Sequence, residues 1–125
     1  MPLIDSHCHL DFPDFEDELD EVIIRAVNAD ISHILTICTH ITKFHQVLDI
    51  ANRFDNIWCT VGIHPHNVGK EPETPAATLM SMAESPKVVA FGETGLDFFY
   101  ERSGRETQEK SFRAHIKAAR QTGLP

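Results

Sequence analysis

Ile4-Asp5-Ser6-His7-Cys8-His9-Leu10 is the stretch from which the rest of the sequence can be read. It begins in a short apolar run, Leu3-Ile4, which predicts a buried first strand. Side chains alternate faces along a strand, so His7 and His9 point the same way. Neutral imidazole is the commonest protein ligand of divalent transition metals. Two polar residues leaving a strand for solvent would produce the same pattern, so the motif alone leaves both interpretations open.

Apolar runs and helical patterns alternate along the whole chain. Further strands are predicted over residues 34–38, 57–63 and 88–91. Helices are predicted over 16–29, 42–54, 76–84 and 106–121. We expect Asp14 to cap the first helix and Gly123 to end the last one. The order βαβαβαβα predicts an α/β fold with parallel strands and right-handed helical crossovers.

Composition narrows the class of protein. The 125 residues suit one domain. No run of about 18 apolar residues is present, so we expect no membrane segment. The first ten residues lack a basic region followed by an apolar one, so we expect no secretory signal. The three cysteines form no CxxC pair, which favours buried reduced thiols and a cytoplasmic location. A net charge of −8 argues against a non-specific nucleic-acid coat, but not against an enzyme that meets phosphates through metal ions.

Polar residues with catalytic potential follow three of the four predicted strands. They are His7 and His9 after the first, His64 and His66 after the third, and Glu93 and Asp97 after the fourth. In parallel α/β folds the active site lies at the carboxyl ends of the strands. Two imidazoles and one carboxylate from separate strands therefore predict an N,N,O metal site.

Each residue of this group can be given an expected role. Glu93 follows an apolar strand and a glycine, where a carboxylate needs a partner or a cation, and we favour a ligand that bridges two metals. Asp5 is expected to fix an imidazole tautomer by a hydrogen bond. His64 and His66 either position a substrate phosphate or carbonyl oxygen, or shape their loop. Asp97 is expected to orient the loop of Glu93.

Other charged and polar residues carry weaker expectations. Arg102 or Arg105 is expected to meet a phosphate. His45 faces outwards on the pattern of the second helix and should lie at the surface. His115 lies in the middle of the last helix and is also expected to be exposed.

Three motifs together resemble those of the TatD family of metal-dependent deoxyribonucleases. They are residues 4–10, 61–66 and 92–97, and a weaker fourth comprises Gln108, Phe112 and the closing 123–125. The resemblance runs through the whole chain in order. It implies a TIM-barrel metallohydrolase in which His7 and His9 bind one metal, Glu93 bridges two, and His64 faces the substrate phosphate.

The activity implied by this resemblance is hydrolysis of phosphodiester bonds in DNA, commonly from 3′ to 5′. Two divalent ions, Mg²⁺, Mn²⁺ or Zn²⁺, would activate water and stabilise the attacking and leaving oxygens. A complete (β/α)₈ barrel takes about 250 residues. Residues 1–125 thus correspond to the N-terminal (βα)₄ half, which stops before the fifth strand.

Four parallel strands cannot close a barrel, so we expect the chain to pair with a missing C-terminal half or to self-associate. We expect no robust activity from the 125 residues alone. Two alternatives stay open. One is a related barrel hydrolase that acts on another ester or on an amide, and the other is an inactive fragment that serves as a binding or assembly module.

Overall fold

A computed structural model, which describes residues 1–125, contains one sheet of four parallel strands in the order β1-β2-β3-β4. The strands are β1 Leu3–Cys8, β2 Ile31–Thr36, β3 Ile57–Val61 and β4 Val88–Phe91. The helices are α1 Leu19–Asn28, α2 Phe44–Arg53, α3 Ala76–Met82 and α4 Arg105–Thr122. Short 3₁₀ turns at Pro13–Phe15 and Ile41–Lys43 precede α1 and α2. The predicted α/β architecture of alternating parallel strands and helices is confirmed.

The hydrophobic core lies between the helices and one face of the sheet. Ile57 and Val61 of β3 and Val47 of α2 are completely buried. Fully burying side chains of this size contributes roughly 1.5–3 kcal/mol each. Cys38 and Cys59 are buried in the same cluster as free thiols, as predicted, and burial raises their pKa to about 11 and about 12.

The first strand differs from its prediction. It runs to Cys8, and its apolar residues Leu3 and Ile4 are 59% and 66% exposed rather than buried. The reason is topological, because β1 is an edge strand that pairs only with β2. At the opposite edge, the Phe91 N–H of β4 donates to the Pro125 carbonyl at 2.9 Å, so the final residue lies alongside β4.

Two helix ends were predicted, one wrongly. Asp14 does not cap α1, because Pro13–Phe15 forms a separate 3₁₀ turn and α1 starts after Glu18, without a side-chain cap. Gly123 does end α4, with φ of 77° and its N–H donating to the Ala119 carbonyl. That left-handed conformation is one that glycine adopts without steric cost.

The prediction that His115 is exposed was wrong. The side chain is 1% exposed, whereas Ile116 beside it is 42% exposed. The buried stripe of α4 passes through Gln108, His115 and Ala118, so the helix is rotated relative to its apolar pattern. His115 is satisfied inside the protein because its Nε2 accepts from the Ile63 N–H at 3.2 Å. His45 on α2 is exposed, as predicted. None of the four helices combines the length and apolarity needed to cross a membrane.

Candidate metal centre

Three predicted metal ligands converge at the carboxyl ends of the strands. His7 is the second-last residue of β1, His9 follows that strand directly, and Glu93 comes two residues after β4. One Glu93 oxygen, Oε2, is 3.3 Å from His7 Nε2 and 3.8 Å from His9 Nε2. All three ligand atoms lie within 4.8 Å of one another. The structure therefore brings together the residues that the sequence placed on separate strands.

The tautomer of His9 suits a metal ligand. Its Nδ1 lies 3.1 Å from the Ile37 carbonyl, which can only accept, so Nδ1 carries the proton. The lone pair then belongs to Nε2, which faces Glu93. Phe12 stacks on the ring at a centroid distance of 4.7 Å and fixes its plane. Two imidazole nitrogens and a carboxylate oxygen this close together are the kind of donor set that would hold one divalent cation.

Asp5 has a different contact from the one expected. Its Oδ1 accepts from the backbone N–H of His7 at 3.1 Å and does not bond an imidazole. Fixing the imidazole tautomer therefore falls to the Ile37 carbonyl, which acts on His9. Asp5 instead holds the backbone that carries His7.

Glu93 is positioned by backbone hydrogen bonds at the ends of two strands. The Glu93 N–H donates to the Cys38 carbonyl and the Gly92 N–H to the Val61 carbonyl, each at 2.9 Å. The Thr60 hydroxyl donates to the Gly92 carbonyl. The backbones of Gly62 and Gly92 pack so closely that position 62 has no room for a side chain. A Cβ added at Gly62 would lie 2.6 Å from the Gly92 carbonyl carbon. Sequence reasoning missed the requirement at Gly62, although a glycine inside a predicted strand, here 57–63, often marks such a close approach.

His64 faces the other oxygen of Glu93. Its Nε2 lies 3.4 Å from Oε1, while its Nδ1 accepts the His66 N–H at 3.1 Å. In the neutral ring the proton must then be on Nε2. Burial lowers the pKa of His64 below its usual value, although the Glu93 carboxylate acts in the opposite direction. His64 is thus placed as a neutral hydrogen-bond donor.

Asp97 orients His66 and the turn that follows. Its Oδ2 contacts His66 Nε2, and its Oδ1 accepts from the N–H groups of Phe99 and Tyr100 at 3.1 and 3.0 Å. The bond from Tyr100, together with those from His66 and Phe99, holds the pKa of this carboxyl below its usual range. The expectation that Asp97 orients the Glu93 loop is replaced by contacts to His66 and to the turn.

Gln108 of α4 holds the backbone of the segment between Asp97 and Ser103, a role that sequence reasoning missed. Its side chain is completely buried on α4. It accepts the Asp97 N–H at 2.8 Å and donates to the carbonyls of Asp97 and Ser103 at 3.2 and 2.7 Å. The available signal was a polar residue on the buried stripe of a helix, which must find hydrogen-bond partners.

The converging side chains line an open cavity of about 310 Å³. It contains His7, His9, His64, His66 and Glu93, so the predicted site residues share one space. Arg102 also lines it, whereas Arg105 is bound to Glu101 at 3.1 and 3.3 Å. Of the two arginines considered from sequence, only Arg102 reaches the cavity.

Comparisons with known proteins give a consistent result. The model of the family described as "TatD related DNase" matches residues 4–125. "Uncharacterized metal-dependent hydrolase YcfH" of Escherichia coli K12 is 34% identical over 128 residues, which cover 100% of this chain and 48% of that protein. "3'-5' ssDNA/RNA exonuclease TatD" of Erwinia amylovora is 38% identical over 124 residues, with 98% and 48% coverage.

Solved structures agree with the sequence relatives. The crystal structure of YjjV, a TatD homologue from E. coli K12, superposes with a TM-score of 0.88 at 31% identity and covers 98% of this chain and 48% of that one. The chain thus spans about half the length of the proteins it matches. Because the family model covers nearly the whole chain, this protein belongs to the TatD-related DNase family of metal-dependent hydrolases.

Proposed function

We propose that this chain carries the metal centre of a deoxyribonuclease that hydrolyses phosphodiester bonds of DNA from the 3′ end. The observation that carries the proposal is the convergence of His7, His9 and Glu93, with the free lone pair of His9 aimed at the carboxylate. The relative from Erwinia amylovora, named a 3′–5′ ssDNA/RNA exonuclease, supports this choice of substrate over another ester or an amide.

His7, His9 and Glu93 would hold the first of two divalent ions, Mg²⁺, Mn²⁺ or Zn²⁺. Bound divalent cations supply Lewis-acid polarisation of the phosphoryl oxygen and lower the pKa of water. Glu93 is suited to bridge two ions because Oε2 faces the two histidines and Oε1 faces away from them, towards His64.

His64 and His66 are proposed to bind the substrate. His64 carries its proton on Nε2, which points into the cavity, so it donates a hydrogen bond to a phosphate oxygen. A neutral donor keeps this role without repelling the cations beside it. His66 is oriented by Asp97 against His64 and closes that side of the cavity.

We also propose that residues 1–125 act as a (βα)₄ unit completed by a C-terminal half or by a second copy of the chain. Edge strand β1 exposes Leu3 and Ile4. The sheet face away from the helices is open, and an apolar groove on it is lined by Ile4, Trp58 and Val89. Open edges and exposed apolar faces favour association. Sedimentation velocity is expected to show a dimer or larger species, and a compact monomer at all concentrations would contradict the proposal.

The free thiols of Cys38 and Cys59 support a reducing compartment, and we propose the cytoplasm. Both lie in the core, and burial raises the pKa of each thiol, so they are kept as unreactive thiols. Labelling of the denatured protein with a thiol reagent after extraction from cells should find both reduced. An oxidised pair would contradict this location.

The nuclease proposal is tested with a single-stranded oligonucleotide labelled at its 5′ end and an excess of protein. We expect slow shortening from the 3′ end that requires added Mg²⁺ or Mn²⁺ and is lost in Glu93→Gln. The control His45→Ala changes an exposed histidine on α2 and should cleave like the unaltered chain. No shortening by the unaltered chain, or equal shortening by Glu93→Gln, would refute the proposal.

A further inference from the structure

Two aromatic side chains project into solvent beside the cavity. Phe99 is 87% exposed and Tyr100 is 63% exposed, the two most exposed aromatic residues of the chain. Their rings contact each other edge to face at a centroid distance of 4.8 Å. Exposed apolar side chains that lie next to each other mark interaction sites, whereas single exposed ones are normal.

The segment that carries this pair, here called the aromatic rim, is held in place. Both rim N–H groups donate to Asp97, and Gln108 binds the backbone on either side of the rim, at Asp97 and Ser103. The rings therefore stand out from a braced turn. An aromatic ring on a fixed backbone loses little conformational entropy when it binds a partner, because only two side-chain torsions remain to be ordered.

The rim is continuous with the metal centre. The Tyr100 ring lies 5.9 Å from the His66 ring, and His66 lies 4.5 Å from His64, which faces Glu93. The Arg102 guanidinium sits 5.7 Å from the Tyr100 ring centroid and also lines the cavity of the metal centre. A ligand seated on the rim would therefore lead directly to the Glu93 carboxylate.

The chemistry of the rim fits an unpaired nucleobase. Proteins bind single strands by stacking bases on aromatic rings while cationic side chains follow the phosphates. Arg102 is available for a phosphate because, unlike Arg105, it forms no ion pair with a carboxylate. The net charge of −8 argues against binding through a broad basic surface, so we expect stacking to supply much of the affinity. Paired bases inside a duplex offer no free face to the rings.

We propose that Phe99 and Tyr100 stack the bases of single-stranded DNA, with Arg102 on the adjoining phosphate, and so deliver the strand end to the metal centre. This inference rests on the proposed nuclease function and adds the part of the substrate that is recognised. It assigns the aromatic rim a binding role that is separable from metal binding, because none of its residues belongs to the candidate ligand set.

The test is fluorescence anisotropy with an oligothymidylate of about 12 nucleotides and an abasic strand of the same length. Phe99→Ala and Tyr100→Ala are each expected to weaken binding of oligothymidylate by roughly 5- to 150-fold, the range of one base stack. Tyr100→Phe keeps the ring and should bind like the unaltered chain. Ile116→Ala is a matched control, because it removes an exposed apolar side chain that lies away from the rim, on α4. It should leave the binding of oligothymidylate unchanged.

The abasic strand separates stacking from charge. Neither rim variant should change its binding, whereas Arg102→Ala should weaken binding of both strands. Rim variants that bind oligothymidylate as tightly as the unaltered chain, or lose affinity for both strands equally, would overturn the inference. Binding that does not depend on bases is also the result expected if the natural partner of the rim is a protein and not a nucleic acid. An unaltered chain that neither binds nor shortens single strands would instead refute the proposed nuclease function.

Discussion

Replacing His115 by alanine tests the hydrogen bond that connects α4 to Ile63, which lies between β3 and the site residue His64. The His115 ring is 1% exposed, and its Nε2 accepts the N–H of Ile63, the residue before His64. Its Nδ1 donates to the Ser111 carbonyl at 2.8 Å. His115→Ala therefore removes a buried side chain and leaves a buried backbone N–H without a partner.

The expected magnitude follows from these two losses. An unsatisfied buried N–H costs about 1–3 kcal/mol. Deleting a buried side chain of this size costs about 2–4 kcal/mol more. We therefore expect urea denaturation at about pH 8 to show a loss of about 3–7 kcal/mol in the free energy of unfolding. A small domain has only about 5–15 kcal/mol in total, so this loss is a large fraction of the stability of the chain.

His115 also predicts a dependence on pH. Burial lowers the pKa of His115 in the folded chain below its unfolded value near 6.5. Below that pH the unfolded chain binds a proton that the folded chain does not, so stability falls as the pH decreases. The contribution of one such group is about 1.4 kcal/mol per pH unit, down to the pKa of the folded state.

His115→Gln is the matched control, because a glutamine amide offers an acceptor to Ile63 and a donor to Ser111 but does not titrate. Its stability should fall less steeply with acid than that of the unaltered chain. A loss below about 1 kcal/mol in His115→Ala, or identical acid sensitivity in His115→Gln, would refute the reasoning.

Two substitutions beside Glu93 have expected outcomes of their own. Gly62→Ala places a Cβ 2.6 Å from the Gly92 backbone, so urea denaturation should show a loss of about 1–3 kcal/mol or more, and Mn²⁺ affinity should fall because Glu93 is displaced. Thr60→Val keeps the shape of the side chain but leaves the Cys38 N–H unpaired, and should cost about 1–3 kcal/mol, whereas Thr60→Ser should stay near the unaltered value. Unchanged stability in either variant would contradict the packing described around the strand ends.

Local patterns were sufficient to predict the elements and to place the candidate ligands. The alternation of apolar strands and amphipathic helices fixes a parallel sheet, and parallel strands bring their carboxyl ends to one edge. His7, His9 and Glu93 meet there although Glu93 is distant in sequence. No knowledge of side-chain packing was required for this step.

Features that depend on long-range partners were not predictable in the same way. His115 is buried because a backbone N–H from Ile63 meets it, and a helical pattern contains no information about that N–H. Ile4 is exposed because it lies on edge strand β1 and on the sheet face that no helix covers, which apolar character alone cannot show. The backbone of Asp97 is held by the side chain of Gln108, which lies in a different element.

The central claim, a metal centre held by His7, His9 and Glu93, is tested most directly by isothermal titration of the metal-free chain with Mn²⁺ and Zn²⁺. We expect saturable binding by the unaltered chain, weakened at least about 10-fold in His9→Ala and in Glu93→Gln, since each loses a ligand. His33→Ala removes an exposed histidine on β2 and should bind like the unaltered chain. Equal binding by His9→Ala and the unaltered chain, or no binding by the unaltered chain, would contradict the account.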